Sequence, residues 1–269
     1  MNPNSFLDSN WILAAMARIG KATVDGRSRS IREGYYRTLG NLQPVPSLFV
    51  PSNGGIRIVT RVREPAVAEV LAHFTAGVQG QGQLLACEGD AQFEKKVAEA
   101  YGILAGLSAN IPLALDLLVH TVLFFRHDKP SYGGASLADV PGVVWIRPDP
   151  EWGASEFAEC VLHEAVHQSV FLFDLALVFL RDAAYHDSAR VPSAVRSIYP
   201  SGQEPLRLYW AAFHAAIVAW WLDAYFTYLG QHRRAWQFRE ALQNSLPFLW
   251  EREDFLTAHG RAVLDALAG

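Results

Sequence analysis

In the run Cys160-Val161-Leu162-His163-Glu164-Ala165-Val166-His167-Gln168, two histidines stand four residues apart and a glutamate follows the first. On an α-helix that spacing stacks both imidazoles on one face, where they can reach a single divalent transition metal from the same side. Glu164 then points about a quarter-turn away, near enough to touch a metal-bound water without being a ligand. Val161, Leu162, Ala165, Val166 and Val170 make the turn apolar, so histidines here are buried polar groups in need of partners. A metal supplies both partners at once. The plainer reading is a pair of hydrogen-bonded core histidines, since a motif this short also arises by chance.

A third donor is sought downstream. His214 lies in Ala211-Ala212-Phe213-His214-Ala215-Ala216-Ile217-Val218, an apolar helical run whose small residues let another helix approach closely. A lone histidine on such a helix is more often a core residue than a ligand, and the incomplete site nearby shifts that balance. Glu204 competes, because a downstream carboxylate completes many zinc peptidase sites, and His186 and Asp187 remain in play. The compact extension with a glycine and a third histidine soon after His167 is absent. Arg207 precedes His214 by two helical turns, so it is expected on the same helix face, about 10 Å along the axis. There a bidentate donor suits the far carboxylate of a metal-chelated 2-oxo diacid, with Arg196 as its competitor.

The elements that must carry these residues follow from pattern. Helices are expected over 6–20, 28–38, 66–77 and 91–107, with a strand at Ile56–Val62 and loops at 42–55 and 77–82. The glycine-rich 77–82 segment lacks the Lys-Ser/Thr of a phosphate loop. Two β-rich runs, 119–126 and 143–147, flank a loop containing Gly133 and Gly134. Ser155 is expected to cap a long helix running to about Ala184. After a proline-containing loop, three helices close the chain at about 206–229, 231–246 and 250–268. The result is an α+β fold, predominantly helical, with its β content confined to the first half. It is expected to form a single domain over 1–269, its helical and strand part at 1–130 and its metal-binding helical part at 131–269.

Composition bounds the partners. The chain has 269 residues, half of them apolar, which suffices for a substantial core. With 23 Lys and Arg against 27 Asp and Glu, no cationic surplus exists to neutralise a phosphate backbone, so nucleic acid is excluded as an expected partner. The two cysteines form neither a zinc knuckle nor a disulfide framework, which fits a reducing, cytoplasmic setting. The first ten residues do not read as a signal peptide. The most apolar stretches, 170–180 and 211–222, fall short of the roughly 20 residues a membrane span needs. No membrane association is expected.

From about residue 135 to 222 the sequence resembles the HExxH-type, 2-oxoglutarate-dependent peptide β-hydroxylases that accompany ribosomally made, modified peptides. The likeness is carried by Pro141-Gly142 before a β-rich stretch, then Val161-Leu162-His163-Glu164-Ala165-Val166-His167. Pro205-Leu206 follows a Tyr/Pro-containing loop, and Phe213-His214 lies in a helix. The resemblance implies that His163, His167 and His214 are iron ligands and that an arginine near Pro-Leu holds the cosubstrate. The chain departs from the family where Ser197-Ile198-Tyr199-Pro200 replaces an expected Trp-Arg pair, which leaves the cosubstrate anchor open between Arg207 and Arg196.

The expected function is therefore an Fe(II)/2-oxoglutarate-dependent oxygenase that hydroxylates the β-carbon of a residue in a precursor peptide, with Glu164 orienting a ligand or water. The alternative is a zinc metallopeptidase in which Glu164 is the general base. A third reading is a non-enzymatic protein with a closed, structural metal site.

Overall fold

The computed structural model describes residues 2–20, 30–42, 57–59, 84–86, 91–127, 133–138, 140–195 and 206–269. The described residues are mostly helical, with a small mixed sheet in the first half of the chain, so the fold is α+β as expected. They fall into two compact units, one of residues 7–171 and one of 1–6 with 172–269.

The unit of residues 7–171 begins with helices α1 (Ser9–Gly20) and α2 (Ile31–Leu42). Each start is fixed by a side chain taking up helix N–H groups that have no intrahelical partner. Asp8 Oδ1 accepts from the amides of Asn10 (2.9 Å) and Trp11 (3.2 Å), and Ser30 Oγ accepts from Glu33 N at 3.1 Å. Strands β1 (Arg57–Val59) and β2 (Leu84–Ala86) precede helices α3 (Ala91–Leu107) and α4 (Asn110–Leu118). The last of these was not expected from periodicity. Its Pro112 sits in the first turn, where proline costs the helix no hydrogen bond.

Strands β3 (Thr121–His127), β4 (Gly134–Ser136) and β5 (Val143–Ile146) complete the sheet, in the order β1-β3-β5-β4 with β2 also paired to β3. β3 and β5 run parallel, Thr121 opposite Val143 through Phe124 opposite Ile146, and β4 runs antiparallel to β5. All four residues of β5 are buried, as the unbroken apolar run Val-Val-Trp-Ile requires of a strand covered on both faces.

Helix α5 (Ala154–Leu177) carries the histidine motif. It starts one residue before the expected cap: Gly153 N donates to Glu156 Oε2 (3.0 Å), and Ser155 lies inside the first turn with its hydroxyl donating to the same carboxylate (2.9 Å). This is the reaching-back half of a capping box. Phe157 of α5 meets Phe93 of α3 at 5.9 Å and Phe124 of β3 at 6.4 Å between ring centroids, which fastens the helix to the sheet. Each such pair contributes about 0.5–1.5 kcal/mol beyond its buried area. By length and composition α5 could cross a membrane, but 67% of its apolar window is buried inside the fold, the position of a core helix.

The helix stops at Leu177 rather than continuing to Ala184. Asp174 Oδ1 takes the amides of Phe179 (2.6 Å) and Leu180 (3.2 Å), its other oxygen receives the Tyr185 hydroxyl, and Val178 adopts φ 57°. That backbone is costly for a β-branched residue. It is held from outside by Thr257, whose Oγ1 donates to Val178 O (2.5 Å) and whose amide donates to Phe179 O (2.9 Å).

The other unit continues with α6 (Asp182–His186), the hairpin of β6 (Arg190–Pro192) and β7 (Leu206–Leu208), and helices α7 (Tyr209–Tyr228), α8 (His232–Trp250) and α9 (Ala258–Ala268). The hairpin corrects the expectation that β structure ends with the first half. Its strands are three residues each, too short to show an alternation, and their pairing is tertiary. α7 is apolar nearly all round, and its long buried surface marks it as the central helix of this unit. Phe6 packs edge-on against Phe173 at 5.4 Å, which ties the first residues to the same unit. The helix and loops expected between 42 and 83, apart from β1, lie outside the described residues.

Candidate metal centre

Helix α5 presents two polar stripes side by side. Cys160, Glu164 and Gln168 recur every fourth residue on the side that meets the sheet, while His163, His167 and Phe171 recur in the same way on a neighbouring, half-buried strip. The histidines are thus less enclosed than the apolar flanks suggest: His163 keeps 25% of its side chain accessible, whereas Glu164 keeps 4%.

The Nε2 atoms of His163 and His167 lie 3.2 Å apart, with ring centroids at 5.0 Å. Phe171 stacks near-parallel on His167, 20° between planes at 6.2 Å, and restricts its ring. With metal–nitrogen bonds of about 2.0–2.1 Å, two donors this far apart subtend roughly 100° at one ion, between octahedral and tetrahedral values. The pair therefore fits a shared metal. The same separation also admits a hydrogen bond from one protonated Nε2 to the other.

Glu164 is set against the sheet by the local sequence. A Cβ built on Gly134 would lie 2.8 Å from Glu164 Oε1 and 2.7 Å from Cys160 Sγ, so only glycine lets β4 approach the helix this closely. Ser136 Oγ donates to Glu164 O at 3.4 Å, and the Cys160 thiol donates to Gly133 O at 3.3 Å. Burial, with Glu164 beside it, pushes the Cys160 thiol well up, so it remains protonated and structural. Glu164 Oε1 stands 4.0 Å from His163 Nε2, close to any ion the histidines share.

Gln168 directly follows His167, and nothing in the sequence marks a role for it. It is 2% exposed; its Oε1 accepts from Gly142 N (2.7 Å) and its Nε2 donates to Val143 O (3.2 Å). Gly142 has φ +84°, and a side chain there would collide with His120. His120 shares a 2.8 Å hydrogen bond with Thr121 Oγ1 and packs edge-on against Tyr36 at 4.9 Å. Burial, reinforced by the charge of Arg32, lowers its pKa to about 3. The Pro141-Gly142 pair, visible in sequence, was the signal for this turn; its partners are distant in the chain and were not.

His214 is buried on α7 beside Trp210 (5.9 Å) and Phe213 (6.5 Å). Desolvation lowers its pKa to about 3, so it is a neutral imidazole at pH 7, the form in which histidine ligates metals. His163 and His167 belong to the unit of residues 7–171 and His214 to the other. Among the described residues no group of three or more His, Cys, Asp or Glu side chains gathers in a metal-binding arrangement.

Arg207 is not on the helix face of His214. α7 begins at Tyr209, and Arg207 is the central residue of β7, opposite Val191 and half-buried. The two residues are therefore not two helical turns apart, because the intervening chain is a strand followed by a helix start. His186 is exposed in the last turn of α6, and Asp187 is engaged by Arg252 at 2.7 Å. Arg196 and Glu204 lie outside the described residues. No protein-family model matches this chain, and no curated protein matches it.

Proposed function

We propose that this chain is a non-haem Fe(II)/2-oxoglutarate-dependent oxygenase that hydroxylates the β-carbon of a residue in a ribosomally made peptide. The observation that carries the reading is the convergence of His163 and His167, Nε2 to Nε2 at 3.2 Å on a half-open strip. The family resemblance around it supplies the reaction. In this reading His163, His167 and His214 hold the metal, leaving positions for an oxo acid and O₂. When bound, the iron supplies the redox chemistry of O₂ that a protein side chain lacks.

The chain's own residues do the rest. Glu164, packed against Gly134, keeps its carboxylate beside His163, where it orients a ligand or water. Phe171 shields one face of His167 from water. Arg207, with Arg196 as the alternative, binds the far carboxylate of 2-oxoglutarate. The peptide is a substrate rather than a permanent partner.

One observation favours a second reading. Glu164 Oε1 lies 4.0 Å from His163 Nε2, within reach of a water shared with a zinc ion, as a metallopeptidase base requires. The experiment is incubation with Fe(II), 2-oxoglutarate and the precursor peptide under air, followed by intact-mass analysis. The oxygenase places one oxygen atom in the peptide and the other in succinate, with release of CO₂, and leaves the backbone whole. Peptide fragments formed with zinc alone, without oxo acid, overturn this in favour of hydrolysis.

A further inference from the structure

Gln168 directly follows the second histidine and makes no contribution to the reaction as proposed above. Its side chain is nevertheless buried and held at both ends. The amide group is buried and pairs with the chain at Gly142 and Val143 as a neighbouring strand would, accepting from one residue (2.7 Å) and donating to the next (3.2 Å). The turn it grips is closely packed and hydrogen-bonded. Gly142 sits at φ +84° with His120 against the position of its missing side chain, His120 N and Thr121 N both donate to Gly142 O (2.9 and 3.1 Å), and Tyr36 packs on the His120 ring.

We propose that Gln168 is a positioning residue for the metal centre: it locks the rotation of α5 on the sheet, turning the His163–His167 strip outward while Glu164 stays against β4. The inference rests on the metal-binding reading. The mutual spacing of the two histidines is a property of the helix alone, but two imidazoles do not complete a metal site. In the proposed ligand set the third donor, His214, is not on α5, so affinity depends on how α5 is rotated relative to the elements around it. Cys160 and Glu164 contact the sheet along the same stripe, but the Cys160 thiol is a weak donor and Gly134 offers Glu164 no side chain. Gln168 forms two directional hydrogen bonds to the backbone, at Gly142 in the turn and at Val143 at the start of β5.

The test uses the full chain with Q168L, which removes both hydrogen bonds at similar volume, and Q168E, which keeps the acceptor for Gly142 N. Two measurements are made. Amide hydrogen exchange of the metal-free protein is expected to show Gly142 protected in the wild type and in Q168E and exposed in Q168L. Cobalt(II) titration is expected to show affinity lowered more than tenfold in Q168L and less in Q168E, with an altered visible spectrum in Q168L. A destabilising control on α1, which carries none of the proposed ligands, Ile12→Ala, is expected to keep wild-type affinity and spectrum. Wild-type cobalt affinity in folded Q168L overturns the positioning role, as does an unprotected Gly142 amide in the wild type. A wild type that binds no cobalt while its Gly142 amide is protected overturns the metal reading itself and leaves Gln168 a structural clamp. Should Q168L fail to fold, Q168E decides: unchanged affinity and spectrum there overturn the proposal.

Discussion

His163 and His167 bring their Nε2 atoms to 3.2 Å on successive turns of one helix, while the carboxylate between them in sequence turns to the sheet and packs where Gly134 leaves room. The separation of the two roles is geometric. Residues four apart share a face of a helix, and the residue after the first is rotated about 100° from it. The same helix can therefore offer a nitrogen pair to an ion and fasten itself to the sheet through its neighbouring stripe.

Replacing Glu164 by Gln tests what that carboxylate does. The substitution keeps size and hydrogen-bonding reach and removes the charge. Metal is expected to remain bound, and 2-oxoglutarate turnover to fall by about 10- to 100-fold, as for contacts that orient ligands. Retention of metal with no measurable oxo-acid turnover, measured as succinate, contradicts this role.

Buried neutral histidines make the fold sensitive to acid. His120 titrates at 6.5 when unfolded and at about 3 when folded, so between those pH values the unfolded chain binds a proton that the folded chain does not. Stability contributed by the neutral form is full above pH 6.5 and declines as pH falls toward 3, by about 1.4 kcal/mol per unit for one group. In denaturant unfolding measured across this range, His120→Gln is expected to flatten the decline by about that slope. An identical slope in wild type and variant contradicts it.

His214 is the proposed third ligand. Its replacement by Ala is expected to weaken metal binding by more than the roughly 10–100-fold that outer contacts cost. Glu204→Ala is expected to leave affinity unchanged. Circular dichroism of the metal-free variants separates lost ligation from lost folding. The reverse result, an indispensable Glu204 and a dispensable His214, moves the site toward the zinc peptidase arrangement.

The motif helix was legible because its signals are local: an i, i+4 histidine pair in an apolar run that recurs with helical period. Its end was not. Asp174 looks like a polar residue inside a helical pattern, but its carboxylate captures the amides of Phe179 and Leu180, and the resulting turn is held by Thr257. Arg207 was misplaced for a similar reason. Leu206–Leu208 is a strand only because Arg190–Pro192 pairs with it, so nothing within three residues announces it. Gln168 finds its partners 25 and 26 residues earlier in the chain, in a turn whose shape depends on Gly142 and His120. Sequence spacing singled out the residues proposed to do chemistry; the contacts that orient them depend on the tertiary fold.

The central claim is that His163 and His167 jointly hold a divalent metal. Anaerobic titration of the full chain with Fe(II), with bound metal determined by elemental analysis after gel filtration, tests it directly. The wild type is expected to retain one equivalent, and His163→Ala and His167→Ala each to retain none, because either change leaves at most one histidine on the helix. A full equivalent retained by both variants contradicts the site.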